Sequence, residues 1–448
     1  MWVTPKILAA VAVISLVLAL AAPLHTLLIF DLLLAPVRKQ TEIAGVMLDQ
    51  TDVILAFLAL GLVLRRRLTF REIRAQVPYF WLWLMVGIVF SVGYLSADIN
   101  ERHLTAFHRG VYQVYRSSWK PILYFPLAAI LLNTAARSKQ ALVALVLAGD
   151  LCALIAIPQG MQGYKAWGPF GTGNTLGAVL IVPVVISFSK LMFPSTAREK
   201  WFYGMSLLIL GRAALYASSR GAIAGMLVGT AVILSFLAAR SKGRGRLLRL
   251  VPAGLMVVLV LFAWKPDLLQ RPNVRRAFTL TNPLEEETLQ WRMEDRWDFY
   301  WEKALEQPWL GYGTDVDPSL QLSGAKTPHN SYLSLVVENG FPAAILYLLL
   351  IGLSLWRGLS FFRSQPPSQA SFNGLLFAAA ILGILTHFMA DSLVDIPQVS
   401  KALWILAGLS ACLKPLQEGL EGSLEATSAQ IPTHTEPSTV VAHARSSR

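Results

Sequence analysis

The sequence predicts an all-α polytopic membrane protein, on three observations. Of its 448 residues 54% are hydrophobic and 15% charged, and the mean hydropathy is +0.51; a soluble domain carries about 25% charge. Apolar runs near the roughly 20 residues that cross a bilayer recur along the chain. The loops between them concentrate Lys and Arg on alternate connections, as cytoplasmic loops do.

About twelve transmembrane helices are expected on length and flanking charge. They fall near 7–30, 52–65, 78–95, 119–136, 139–157, 174–193, 202–217, 220–239, 247–264, 338–356, 373–390 and 399–413. The first, "ILAAVAVISLVLALAAPLHTLLIF", has a short basic flank and no clear small-residue cleavage site. It reads as a retained span and not a signal peptide. With twelve spans, "RRRLTFREIR", "RSK", "KLMFPSTAREK", "RSKGRGRLLR" and "RGLSFFR" all lie on one side, the cytoplasm, together with both termini.

The opposite side receives the 96–118 loop, "GYKAWGPFGTGN", the short "SSR" connection and one large loop. The expected organisation is then helices 1–9 in residues 1–264, a large periplasmic loop at 265–337, helices 10–12 in 338–413 and a tail at 414–448. The tail is polar and rich in Ser, Thr and Pro, the composition of a disordered cytoplasmic segment. Within the large loop "EEETLQWRMEDRWDFYWEKALEQP" reads as an amphipathic helix, with Pro308 at its end. Trp291, Trp297, Tyr300 and Trp301 fall near helical spacing there, and such rings are favoured at a membrane interface. "PWLGYGTD" follows as a glycine-rich turn.

Cys152 and Cys412 both lie inside apolar runs and read as small core hydrophobes, not a disulfide frame or a metal site. The net charge of +12 fits cytoplasmic loops against anionic membrane lipids. No nucleic-acid motif interrupts the apolar runs, so no nucleic-acid partner is expected.

Several polar residues stand where chemistry is possible. His329, in "AKTPHNSYLSLVVENGFP", precedes span ten at the expected periplasmic surface. An imidazole there can take a proton near neutral pH; residue type alone favours a capping or packing histidine. Asn330 is placed to cap the helix beginning at Ser331. Arg220, in "YASSRGAIAGML", sits between two spans with almost no loop. Its planar fork suits a diphosphate, and snorkelling to the interface fits the sequence equally well. Arg212 raises the same question more weakly. Arg292 and Arg296 lie one helical turn apart and form either a second cationic clamp or a solvated salt-bridge face with Glu294, Asp295 and Asp298. "WGPFGTGN" loosely resembles a phosphate-cradling turn before a helix. His387, Asp391 and Asp395 lack the spacing of a metal site, and no HExxH, DxD or CxxC motif occurs.

Taken in order, "GPFGTGNTLGAVL", "SSRGAIAGMLVG", "WRMEDRWDFYWEKALEQPWLGYGTD" and "PHNSYLSLVVENGFP" resemble the O-antigen ligase and O-antigen polymerase superfamily of bacterial envelope glycosyltransferases. The similarity covers most of residues 160–356, and His329 to Gly340 is its most specific piece. The resemblance implies a GT-C-like architecture in the inner membrane, with the active site facing the periplasm. It implies glycan transfer from undecaprenyl diphosphate to a lipid A–core sugar hydroxyl in ligases, or to a second lipid-linked glycan in polymerases. With no metal motif in the sequence, no metal or cofactor is expected, and direct displacement would invert the anomeric carbon. Carried over, His329 is the essential histidine and Arg220 the arginine after span seven. Arg292, by its spacing to Pro308, is preferred as the loop arginine, with Arg296 in reserve. A lipid-glycan transporter is the alternative of another class, but no internal repeat is visible and the candidates gather on one side, not at the midplane. Between ligase and polymerase, the compact twelve-span plan favours the ligase.

Overall fold

A computed structural model describes residues 3–34, 36, 40–43, 46–66, 69–101, 114–193, 196–239, 290, 292–313, 328–366, 368–394 and 396–413. The described residues are helical apart from turns and one antiparallel hairpin, β1 (Gln40–Ile43) with β2 (Val46–Asp49), in which Gln40 faces Asp49 and Ile43 faces Val46. In order come α1 (Val3–Ala21), α2 (Leu24–Leu33), α3 (Gln50–Gly61), α4 (Phe70–Gln76), α5 (Phe80–Glu101) and α6 (Lys120–Leu131). Next are α7 (Ala135–Met161), α8 (Gly173–Met192), α9 (Ala197–Ala217) and α10 (Arg220–Ala239). The loop helix α11 (Asp298–Glu306) follows a π-helical turn at Met293–Trp297. The chain closes with α12 (Ser331–Ser364), α13 (Gln369–Phe388) and α14 (Pro397–Ala411).

Among the described residues five helices are long and apolar enough to cross a membrane: α7, α8, α10, α12 and the Ser371–Phe388 part of α13. A sixth is formed if α4 and α5, bent by 108° at their junction, count as one span. Shorter apolar helices stand at Leu8–Ala21, Leu24–Leu33 and Lys120–Leu131. Each expected span overlaps helix except 247–264, which falls outside the described residues, as does the 414–448 tail; the run at 119–136 crosses the break between α6 and α7 at 132–134. The run at 7–30 differs from expectation: it is two helices, broken at Pro23. Pro23 is extended (φ −58°, ψ 139°) and has no N–H to continue a helical ladder.

Helix starts follow capping chemistry. Thr69, Thr196 and Ser368 each build a reciprocal capping box with the residue three positions on, and Thr134 and Thr172 accept from Arg137 N and Thr175 N in the first turns of α7 and α8. In the core α10 packs on α13, α8 on α9, and α12 on both α5 and α13. The two cysteines are buried, as expected.

A buried ionic network, not legible from the sequence, ties the N-terminal helices to α14. Asp49 caps α3 in a box with Asp52, and Lys120 binds both carboxylates at 2.8 and 2.7 Å. Lys401 meets Asp31 at 2.7 Å, and Asp31 also accepts from Tyr124 at 2.6 Å and Thr51 at 3.2 Å. In hydrocarbon an ionised group survives only with partners of this kind. The start of α14 is thereby fixed, and the loop from α13 to α14 reaches it.

Candidate active site

At one end of the bundle the loop after α13 meets the starts of α8, α10 and α12 and the turn leading into α11. Asn330 caps α12: its side chain accepts from Tyr332 N at 3.0 Å and Leu333 N at 3.3 Å. The capping task therefore falls to Asn330, and His329 is left for another. His329 has a left-handed backbone (φ 49°), unusual for a side chain of its size. That turn swings its ring onto Asp391, with Nδ1 2.8 Å from Oδ1. The imidazole keeps 29% of its side-chain surface exposed, against 12% for the carboxylate. The pair thus has an open face and a closed one.

Asp391 is held from several sides. Ser392 N donates to its Oδ1 at 3.0 Å, and Asn174 bonds its carboxylate. Ser331 Oγ donates to its carbonyl at 2.7 Å and accepts from Leu393 N at 2.8 Å, which stitches this loop to α12. Burial alone would raise its pKa. The hydrogen bond and charge of His329, with help from His387 and Asn174, outweigh burial and hold it below the usual 3.8. It is a carboxylate, the form that steadies an imidazolium.

Arg292 reaches the same loop, donating from Nη1 to Ala390 O at 2.9 Å. Burial lowers the pKa of its guanidinium and the Asp391 charge opposes that, so the two lie within each other's field. Its Nε has no hydrogen-bond partner among the described residues. One turn on, Arg296 is half-buried. Trp297 Nε1 donates to Pro328 O at 3.1 Å, so the segment bearing the arginines also pins the residue before His329.

Arg220 is the first residue of α10, directly after the short connection where Ser218 takes a left-handed turn (φ 51°). Its neighbour Gly221 lies against the His387 ring and Ala390, where a Cβ would collide with both. Arg220 therefore starts its helix beside the loop that Arg292 and His329 contact. Arg212 stands apart, exposed on α9 with its guanidinium 5.7 Å from the centre of the Tyr216 ring.

The glycine-rich elements do structural work. In "WGPFGTGN" the side chain of Gln159 accepts from Trp167 N at 3.0 Å and Gly168 N at 2.9 Å, which folds the turn back on α7. The residue this turn delivers is Asn174. Lys165, from the same turn, donates to Asn174 Oδ1 at 3.4 Å, so an exposed ammonium stands on the outer side of the amide that binds Asp391. The "PWLGYG" turn is welded to the first turns of α12 through backbone alone. Tyr312 N donates to Val337 O, Gly313 N to Glu338 O and Phe341 N to Pro308 O, each at 2.8 Å. Gly340 kinks α12 with φ 77°, and a Cβ there would strike the Trp309 carbonyl. In "HNSYLSLVVENG" the first half thus carries the polar site and the last half docks the loop that brings Arg292.

Among the described residues no group of three His, Cys, Asp or Glu side chains gathers as metal ligands would. Sequence reasoning weighed Asp391 and His387 only as metal ligands and missed Asp391 as the partner of His329. Lys165 was also missed. A carboxylate one helical turn beyond a buried histidine at a span end was the available signal.

Residues 205–348 match the family model described as O-antigen ligase. That segment is similar to the O-antigen ligase family. The O-antigen ligase family comprises glycosyltransferase-like ligases and polymerases. The matched segment contains Arg212, Arg220, Arg292, Arg296, His329 and Asn330. Asn174, Lys165, His387 and Asp391 lie outside it, so this structure, not the family match, joins them to the site. The apolar helices agree with a multi-pass membrane protein. No curated protein sequence matches the chain.

Proposed function

We propose that the protein is an O-antigen ligase of the bacterial inner membrane. It would transfer a glycan from undecaprenyl diphosphate to a sugar hydroxyl of lipid A–core at the periplasmic face. The observation that carries this reading is the His329–Asp391 pair standing beside Arg292 at one end of a membrane-embedded helical bundle.

In the reaction the acceptor oxygen attacks the anomeric carbon as the bond to the diphosphate oxygen breaks. The bonding pair leaves with the diphosphate. Direct displacement inverts the anomeric centre. With Asp391 receiving Nδ1–H, the other ring nitrogen of His329 takes the hydroxyl proton, and the carboxylate stabilises the imidazolium that forms. Arg220 and Arg292 hold the growing charge on the leaving diphosphate, with Arg296 the alternative to Arg292. Fixed guanidinium groups need no reorganisation at the moment of reaction. Asn330 supports the site by capping α12 and setting the backbone next to His329.

The test is transfer by purified protein from lipid-linked glycan, with lipid A–core and a second lipid-linked glycan as rival acceptors. Glycosylated lipid A–core supports the ligase. Chain extension on the lipid-linked acceptor alone would make the protein a polymerase. Donor consumed with neither acceptor would end the transferase reading.

A further inference from the structure

The loop helix α11 divides its surface in three. Tyr300 and Ala304 are buried against α12. Asp298, Glu302 and Glu306 form an exposed polar face. Between these two faces runs a third strip, Trp301 and Leu305 at i and i+4, which continues into the turn at Trp309; Trp309 is 75% exposed. Among the described residues, packing leaves these three large apolar side chains in one exposed line.

The line does not stop at the end of the helix. Trp301 stands edge-on to Phe341 with ring centroids 5.8 Å apart, and Pro308 O accepts from Phe341 N. From Phe341 the exposed apolar positions of α12 run Ile345, Leu349 and Trp356, again at helical spacing. Helix α12 is long and apolar enough to span a membrane, and its stretch from Phe341 to Trp356 rises about 22 Å, most of a hydrocarbon core. Its outward face meets lipid. Through the Trp301–Phe341 contact the strip on α11 joins that face, while the charged face of the same helix points elsewhere.

We propose that α11 is moored in the membrane interface through Trp301, Leu305 and Trp309, with the lipid surface as its partner. Tryptophan is favoured at this depth, and a helix with separate apolar and acidic faces lies there with the apolar one buried. This sorts the loop aromatics. Tyr300 turns inward, Trp297 turns to Pro328, and Trp301 and Trp309 meet lipid. Mooring also fixes the depth of Arg292, one turn before α11. That consequence rests on the proposed transferase reading; the mooring itself does not.

Depth is measured with nitroxide labels on cysteines introduced one at a time, Leu305→Cys, Ile345→Cys and Glu302→Cys. The full-length protein is placed in vesicles of phosphatidylethanolamine and phosphatidylglycerol. Cys152 and Cys412 are buried, and the unsubstituted protein supplies the background. The ratio of collisions with oxygen to collisions with a water-soluble nickel chelate should be several-fold higher at Leu305 than at Glu302, and should approach that at Ile345. A ratio at Leu305 equal to that at Glu302 would place the strip in water and overturn the proposal. Shielding of Leu305 from both reagents would overturn it too, since another protein surface would then cover the strip. Neither result depends on whether the protein transfers a glycan.

Discussion

Replacing Asp391 by Asn removes a charge while keeping the shape of the side chain, so it isolates what the carboxylate does for His329. The two groups meet at 2.8 Å, and Ser392 N–H can still bond an amide oxygen at this position. An imidazolium and a carboxylate about 4 Å apart between charge centres interact by about 4 kcal/mol at an effective dielectric of 20. The partly exposed imidazole screens some of this. A loss of about 2–4 kcal/mol from the transition state is a fall of roughly 30- to 1,000-fold in turnover. Asn can also turn its NH2 toward Nδ1 and select the wrong tautomer, which pushes toward the upper end. The assay is single-turnover transfer per folded molecule, beside a melting curve and donor affinity. Donor affinity should change little, because the arginine contacts remain. Near-normal turnover in Asp391→Asn would refute the dyad and leave Asp391 as a strut between the α13–α14 loop and α12. The pH behaviour has a defined sign. The native pKa of Asp391 is depressed, so its contribution is complete above about pH 4, the unperturbed range, and is lost as pH falls through the lower native value.

The other expectations concern parts of the site that can be separated. Arg292→Lys and Arg220→Lys keep a positive charge but lose the planar fork, so each should lower transfer sharply while the protein still folds and inserts; wild-type turnover would favour a snorkelling arginine. The exposed ammonium of Lys165, beside the amide that holds Asp391, is placed to meet the donor's diphosphate, so Lys165→Gln should raise the KM for the lipid-linked donor with kcat nearly unchanged, and Lys165→Arg should restore it; an unchanged KM would exclude that contact. Gly340→Ala cannot be accommodated at φ 77° against the Trp309 carbonyl, so it should detach the loop and expose it to limited proteolysis even where the bundle stays folded. Lys401→Ala leaves Asp31 buried without its ion-pair partner and should cost about 3–5 kcal/mol of stability, read as a lower melting temperature.

The membrane spans could be read from the sequence because hydropathy is local. Each apolar run carries its own signal, and ends such as Thr196 with Glu199 carry capping chemistry in adjacent residues. Pro23 was equally visible inside the 7–30 run, but length and hydropathy alone joined α1 to α2 across it. Non-local pairings were not legible. Asp391 is 62 positions from His329, and Lys401 is 370 from Asp31, so no window contains both partners. The glycines of "WGPFGTGN" and "PWLGYG" suggested anion binding or plain turns. Their reason lies in close backbone approach to α7 and α12, which exists only after folding. His329 was legible as a candidate and Asn330 as the cap beside it, yet the turn of His329 onto Asp391 exists only in the fold.

The central claim is that His329 removes a proton from the acceptor hydroxyl during glycan transfer from a lipid diphosphate. The most direct measurement is turnover of purified His329→Ala with lipid-linked glycan and lipid A–core, alongside donor affinity and melting temperature. Positioned general-base catalysis is worth roughly 10²–10⁴-fold, so turnover should fall on that scale while donor binding stays close to wild type. A variant that melts lower but turns over normally once folded would contradict the claim and return His329 to a packing role.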